Sequence, residues 1–209
     1  MRKNIQILQN IVSRKGSSKI LTFSIPHVLK ALQILSDEKF VSRATFGREI
    51  HLGEGAVKTL ILHLKEAGIA GTTKSGTFLT DEGQKLIKQI KKVLSKECNL
   101  EKSSVIQGKF NHAILLKKYS GAIKTGLEQR DYAILYGSSG CITILFKNNR
   151  FVFPGDERDC FENDPSAKKN LLDELSPQEE DVIIISSASD PFVSEISAKN
   201  SALWTLATS

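Results

Sequence analysis

Residues 46 to 69, FGREIHLGEGAVKTLILHLKEAGI, place apolar residues at helical spacing in two short runs. Phe46 and Ile50 lie four apart, and Val57, Ile61 and Leu64 repeat at four and three. The pattern predicts two helices joined by a tight turn at His51, the second ending at Gly68, which is the spacing of a helix-turn-helix. Gly47 is expected to let the two helices cross closely, Leu52 to fill the corner, and Gly53 to serve as N-cap. The other face of the second helix carries Glu54, Gly55, Lys58, Thr59, Leu62 and Lys65. His63 is expected to face solvent rather than DNA. Leu62 is expected to pack under a neighbouring hairpin rather than meet a thymine methyl.

The flanking pattern extends this unit. Ile5, Leu8, Ile11 and Val12 form a helical stripe over 4–13, and residues 14–19, RKGSSK, read as a linker. Ser24 is a candidate N-cap with Pro26 in the first turn, ahead of Val28, Leu29, Leu32 and Leu35; Ser42 is a candidate cap for the next helix. After Gly68, residues 69–73 and 77–79 read as two short strands around Lys74-Ser75-Gly76. A hairpin at this place is the wing of a winged helix, with Lys74 and Ser75 at its tip, where they would reach phosphates or a minor groove. Thr80 caps a further helix, with Asp81 and Glu82 in its first turn, expected to run to about Lys96.

Apolar periodicity lapses over 97–104. The chain is therefore divided into an N-terminal helix and linker (1–23), a winged helix-turn-helix (24–100) and a C-terminal domain (101–209). That last domain reads as β-α-β-β-α-β-α, with strands at 113–116, 141–146, 151–153 and 182–185 and helices at 122–136, 167–175 and 191–206. The fold class expected is α+β: a winged helix-turn-helix followed by a small mixed α/β domain.

Composition narrows the partners. The chain has 209 residues, 40% hydrophobic and 25% charged, ordinary values for a globular protein. No apolar run approaches the roughly 20 residues of a membrane span, and the basic N-terminus lacks a continuous signal-peptide apolar region, so a soluble cytoplasmic protein with no membrane contact is expected. Cys98, Cys141 and Cys160, and His27, His51, His63 and His112, are scattered without metal-ligand spacing. Neither a disulfide framework, a metal nor a cofactor is expected. Residues 1–100 hold 17 Lys and Arg against 8 Asp and Glu, a net +9, and residues 101–209 hold 12 against 15, a net −3. Clustered cations beside the helix-turn-helix point to phosphate contacts.

In the second half, GLEQRDYAILYGSSG (126–140) is the suggestive stretch. Arg130, Asp131, Ser138, Ser139 and Gly140 are candidate ligand-binding residues for a phosphate- or carboxylate-bearing effector. The competing expectation is a helix C-cap at Gly137 with a tight entry into a strand, and a structural salt bridge for Arg130 and Asp131. The glycines follow a helix instead of preceding one, and neither GxGxxG nor GxxxxGK[ST] is present. Asp156, Glu157, Arg158 and Asp159 read as a solvated loop. No nucleophile–base–acid set assembles, His112 being the single histidine of this half, so no catalytic residue and no enzyme activity is expected.

GEGAVKTLI (53–61), TFLTDEG (77–83), GLEQRDYAI (126–134) and GSSGCITILF (137–146) together resemble an uncharacterised archaeal family that joins an N-terminal winged helix to a C-terminal domain of unknown function. The resemblance implies a transcription regulator of archaeal source, with Lys58 at a position expected to be basic. Ser138 and Ser139 depart from the alanine-rich turn the family leads one to expect. The resulting expectation is a homodimeric regulator that binds double-stranded DNA and answers to a small-molecule effector. Its DNA-binding residues would be Gly55, Lys58, Thr59, Leu62 and Lys65 on the second helix, Lys74 and Ser75 on the wing, and Arg43 and Arg48 as phosphate clamps. The alternatives are a metabolic enzyme carrying a winged helix, with Arg130, Asp131 and Ser139 lining its site, and a protein-interaction module.

Overall fold

The computed structural model describes residues 1–13 and 20–208, so the linker expected at 14–19 lies outside the described residues. The chain divides into two compact units, Met1–Ile90 and Lys91–Ser209.

In the first unit, α1 (Arg2–Ile11) buries Ile5, Leu8 and Ile11, the stripe its periodicity predicts. α2 (Ile25–Asp37) starts at Ser24 with a capping box whose second member is His27, not the usual Glu or Gln. The Ser24 backbone N–H donates to His27 Nδ1 at 3.3 Å. α3 (Arg43–Ile50) is capped by Ser42, whose Oγ accepts from the Thr45 N–H at 3.0 Å. His51 ends it in the left-handed region, φ 55°. α4 (Glu54–Glu66) follows from Gly53 and buries Val57, Leu60, Ile61 and Leu64.

β1 (Ala70–Thr73) and β2 (Gly76–Leu79) pair antiparallel, Ala70 opposite Leu79 and Thr73 opposite Gly76. Val41 adds an isolated antiparallel bridge to β2, exchanging both backbone hydrogen bonds with Thr77 at 2.8 and 2.9 Å. α5 (Asp81–Lys91) is set by Thr80, whose Oγ1 accepts from the Gly83 N–H at 3.2 Å. A Cβ on Gly83 would lie 2.1 Å from the Ile69 carbonyl oxygen, so only glycine lets α5 approach the wing this closely.

Helix α5 stops at Lys91, before the Lys96 expected, because Leu94–Leu100 is a strand, β3. The unit boundary accordingly falls at Ile90/Lys91, ten residues before the expected one. β3 pairs antiparallel with β4 (Phe110–Leu116), and the sheet continues through β7 (Val182–Ala188), β5 (Gly140–Lys147) and β6 (Arg150–Val152) in the order β3-β4-β7-β5-β6. Every pairing is antiparallel.

One sheet face carries Ala113, Leu115, Ile144, Phe146, Ile183 and Ile185, closed by Leu171 and Leu175 of α7 (Pro165–Leu175) and by Phe151 and Phe161. The alternate residues face α6 (Leu127–Ile134) and α8 (Pro191–Thr208). The helix expected over 122–136 is shorter, because Gly126 takes φ 80° at its N-cap and Ser120–Ala122 is a separate 3-10 turn. The observed order is β-β-α-β-β-α-β-α, one strand more than expected at its start. No helix among the described residues is long and apolar enough to cross a membrane.

Candidate nucleic-acid interface

The turn between α3 and α4 is held by its own backbone. The Leu52 N–H donates to the Gly47 carbonyl at 3.2 Å, and a Cβ on Gly47 would lie 3.2 Å from the Leu52 carbonyl oxygen. Gly47 is therefore small for the turn itself, not for the crossing of α3 over α4. With Val57, Leu60, Ile61 and Leu64 buried, the opposite side of α4 presents Glu54, Gly55, Lys58, Leu62 and Lys65 as exposed residues, with Thr59 partly covered.

Two expectations for α4 are corrected. His63 is buried, not solvent-facing: its Nδ1 donates to the Ile11 carbonyl at 2.6 Å, and its ring meets Phe23 edge-on at 5.9 Å. A carbonyl can only accept, so this ring secures the C-terminal end of α1 through one N–H. Leu62 does not pack under the wing; it is 51% exposed in the middle of the outer face.

The electrostatics of that face are mixed. Lys58 Nζ pairs with Glu54 at 2.7 Å, one turn apart on α4. The hydrogen bond and the charge of Lys58 hold the Glu54 carboxyl below its ordinary range, with Arg43 adding to the effect. Both partners are exposed, so the pair contributes little to stability and is easily exchanged for another anion. Arg48 Nε lies 2.9 Å from Glu49. Thr59 Oγ1 donates to the Gly55 carbonyl at 3.0 Å, which leaves its methyl and its lone pairs for a partner. Arg43, Lys65, Lys74 and Ser75 are exposed. On the wing, Phe78 lies across Gly71, where a Cβ would meet its ring at 2.4 Å, and packs edge-on against Phe40, whose ring carries Lys39 Nζ at 5.8 Å. Nothing in the apolar periodicity marked this aromatic patch.

The earlier boundary shifts the charge division. Residues 1–90 hold 14 Lys and Arg against 7 Asp and Glu, and residues 91–209 hold 15 against 16, so the units carry +7 and −1. The asymmetry keeps its sign and loses a third of its size, since Lys91, Lys92, Lys96 and Glu97 pass to the second unit.

The second unit's expected ligand residues do not converge. Arg130 and Asp131 are exposed on α6. Gly137 takes φ 87° after the last turn of that helix, as the C-cap expectation has it. Ser138 is buried, its Oγ 2.6 Å from the Gly140 carbonyl and 3.0 Å from that of Ser187, and it accepts from Ser186 Oγ and the Gly140 N–H. The Ser139 N–H donates to Ser187 at 2.8 Å. The donors that an anion would need are thus turned into the sheet. Of the five candidates, Ser139 and Gly140 share a cavity, an open groove of about 330 Å³ beside the turn whose other walls include Val105, Ile106, Gln107 and Ile142.

Sequence patterning missed a buried ionic group on the α8 side of the sheet. Lys199 on α8 is fully buried and pairs with Glu97 of β3 and, at 3.3 Å, with Glu195 one turn earlier. His112 Nε2 lies 3.3 Å from Glu97 Oε2, and its Nδ1 lies 2.9 Å from Asn99 Oδ1. Burial drives the Glu97 carboxyl up, but the His112 hydrogen bond and the charges of Lys199 and His112 outweigh it and bring it down to about 2. The four-residue spacing of Glu195 and Lys199 was the available signal. Among the described residues, no group of three or more His, Cys, Asp or Glu is placed to hold a metal ion. Burial pushes the thiols of Cys98, Cys141 and Cys160 up to about 12, which keeps them protonated and unreactive near neutrality.

No curated protein is similar to this chain. The chain is similar to the solved structure titled hypothetical protein PH0730 from Pyrococcus horikoshii OT3, at 27% identity and a TM-score of 0.69, covering 86% of this chain and 91% of that one. Residues 106–206 match the family described as Domain of unknown function (DUF4443). Together the two matches support an uncharacterised archaeal family as the one this chain resembles.

Proposed function

We propose that the protein is a DNA-binding regulator in which α4 enters the major groove and the wing tip touches the backbone. The observation that carries this reading is the outer face of α4. It holds Gly55, Lys58, Thr59 and Lys65 clear of the core, and Arg43, Arg48 and Lys74 lie exposed on the neighbouring helix and the wing of the same +7 unit. Cations on three elements of a winged helix fit a phosphate-lined groove. The Glu54–Lys58 pair opens as a phosphate replaces the carboxylate, since a solvent-exposed ion pair is weakly held and readily exchanged.

The test is fluorescence anisotropy of random-sequence duplex DNA across a salt series. Affinity is expected to fall steeply with salt, and Lys58→Ala plus Lys74→Ala is expected to flatten the log–log slope by nearly 2, about 0.9 per lost phosphate contact. Binding that ignores both salt and the double substitution sinks the reading. A second reading, docking to a protein, draws on the exposure of Leu62 at the centre of the same face. Leu62→Ala that leaves DNA affinity unchanged while abolishing capture of a protein partner would favour it.

A further inference from the structure

Helix α6 is turned inside out. Its buried positions are Gln129 and Ala133, and its outer positions include Leu127, Ile134 and Leu135, exposed by 58%, 41% and 75%. Three of the seven exposed large hydrophobic residues among the described residues sit on this one eight-residue helix and its C-cap, Leu135. The inward polar side fits its environment. Gln129 Nε2 donates to Thr205 Oγ1 at 3.1 Å, Ser201 Oγ to the Gln129 carbonyl at 2.8 Å, and Asn200 Nδ2 to the Tyr132 carbonyl at 2.7 Å. These bonds fix the rotation of α6, so the apolar stripe cannot roll inward without leaving buried polar groups unmatched.

We infer that this stripe pairs with the same stripe of a second copy of the chain, as two parallel α6 helices about a two-fold axis. The charges select that occupant. At about 100° per residue, Arg130 lies roughly 80° to one side of the apolar seam and Glu128 roughly 80° to the other. In a parallel two-fold pair, unlike flanks meet, so Arg130 of each copy faces Glu128 of its mate, twice over. An antiparallel pair would bring like flanks together, arginine to arginine and glutamate to glutamate. Asp131 lies within the stripe, roughly 20° from its centre toward Glu128, and in an antiparallel pair it would face its own copy. The stacked rings of Tyr132 and Trp204, 5.8 Å apart and both half-buried, extend the apolar surface at one edge. Two helices about 12 Å long cover less than the ~800 Å² per partner of a standard interface, so the pair is a reversible one.

The proposal is independent of DNA binding and is tested without it. Sedimentation of the full chain between about 1 and 100 μM is expected to give a concentration-dependent monomer–dimer equilibrium. Leu127→Glu with Leu135→Glu, both at exposed positions, is expected to give a monomer with unchanged circular dichroism and Trp204 fluorescence. Arg130→Glu is expected to weaken the dimer about tenfold, and adding Glu128→Arg to restore it, because each copy carries both partners. A wild-type chain monomeric at about 100 μM, or a dimer untouched by the two glutamates, overturns the proposal. A charge swap that fails to restore association overturns the parallel arrangement. Capture of a different protein by a chain that stays monomeric also overturns the inference.

Discussion

Helices α4 and α6 divide their residues in opposite senses. α4 buries Val57, Leu60, Ile61 and Leu64 and turns Lys58, Leu62 and Lys65 outward, whereas α6 buries Gln129 and exposes Leu127, Ile134 and, at its C-cap, Leu135. The difference extends to the units they belong to. Among the described residues of the first unit, His63 and Thr77 are the buried polar side chains, while the second unit buries Asn111, His112, Asp181, Lys199 and several Ser and Thr residues. A helix with an apolar interior is held by area and is free to vary its outer chemistry. A helix with a polar interior is held by matched hydrogen bonds, and those bonds dictate which face it shows. The comparison therefore separates a unit made to present charge from a unit made to present an apolar seam.

The largest expected effect comes from removing the buried lysine. Lys199→Met leaves Glu97 and Glu195 beside the sheet without the cation that matches them, at a cost of about 3–5 kcal/mol. Trp204, the single tryptophan, lies on the same helix, so urea unfolding followed by its fluorescence reads this unit. The midpoint is expected to drop sharply, and Glu97→Gln added to Lys199→Met is expected to recover part of the loss. A small shift in the single variant would mean that the cluster adds no stability, and the contrast between the two interiors would weaken.

Acid should distinguish the units next. Burial lowers His27 from 6.5 to about 4. Between those values the unfolded chain binds a proton that the folded chain refuses, so stability of the first unit is full above pH 6.5 and falls as pH drops toward 4. The loss is about 2 to 3 kcal/mol, with Nδ1 of His27 released from its capping role. Glu97 works in a lower window: its carboxyl is held at about 2 against an ordinary 4.5, so its contribution is present above pH 4.5 and is lost as pH falls through 2. Helical circular dichroism is expected to change first while Trp204 fluorescence holds. His27→Gln, which keeps a capping acceptor without titrating, is expected to remove the earlier window. Coincident loss of both signals in that variant and in wild type would break the comparison.

These two interiors were unequally legible in the sequence. The first unit follows from periodicity because its core is apolar: Phe46, Ile50, Val57, Ile61 and Leu64 all stand where their spacing puts them, and Ser24, Ser42, Gly53 and Thr80 sit at the helix starts their chemistry favours. The burial of His63 is not legible in the sequence, because a histidine on a helix face carries no sign of whether a carbonyl from a distant helix awaits it. The second unit hides more. The start of β3 reads as a continuing helix because Leu94 suits either pattern, and its pairing with β4 is set by residues outside its own window. Around the Gly137–Gly140 turn the residue types suit an anion, but the sheet claims their donors. Lys199 lay inside an otherwise small and apolar helix, where only its spacing from Glu195 hinted at a partner.

The smallest expected effect bears most directly on what α4 is for. Gly55 occupies an exposed helical position where a Cβ would meet nothing within 4 Å. Glycine in a helix costs about 0.5–1 kcal/mol relative to alanine, and nothing within the fold asks for it there. A backbone kept bare on an outer face makes sense where a partner approaches closely. Gly55→Ala is expected to stabilise the first unit by about 0.5 kcal/mol, a rise of a few degrees in its thermal midpoint. It is also expected to weaken duplex DNA binding about three- to tenfold, since the added methyl stands between α4 and the groove. Stability and affinity then move in opposite directions, which a purely structural glycine would not produce. A variant that gains stability and binds DNA as before would place the contact surface elsewhere on the unit, on Lys74 and the wing instead of on the face of α4.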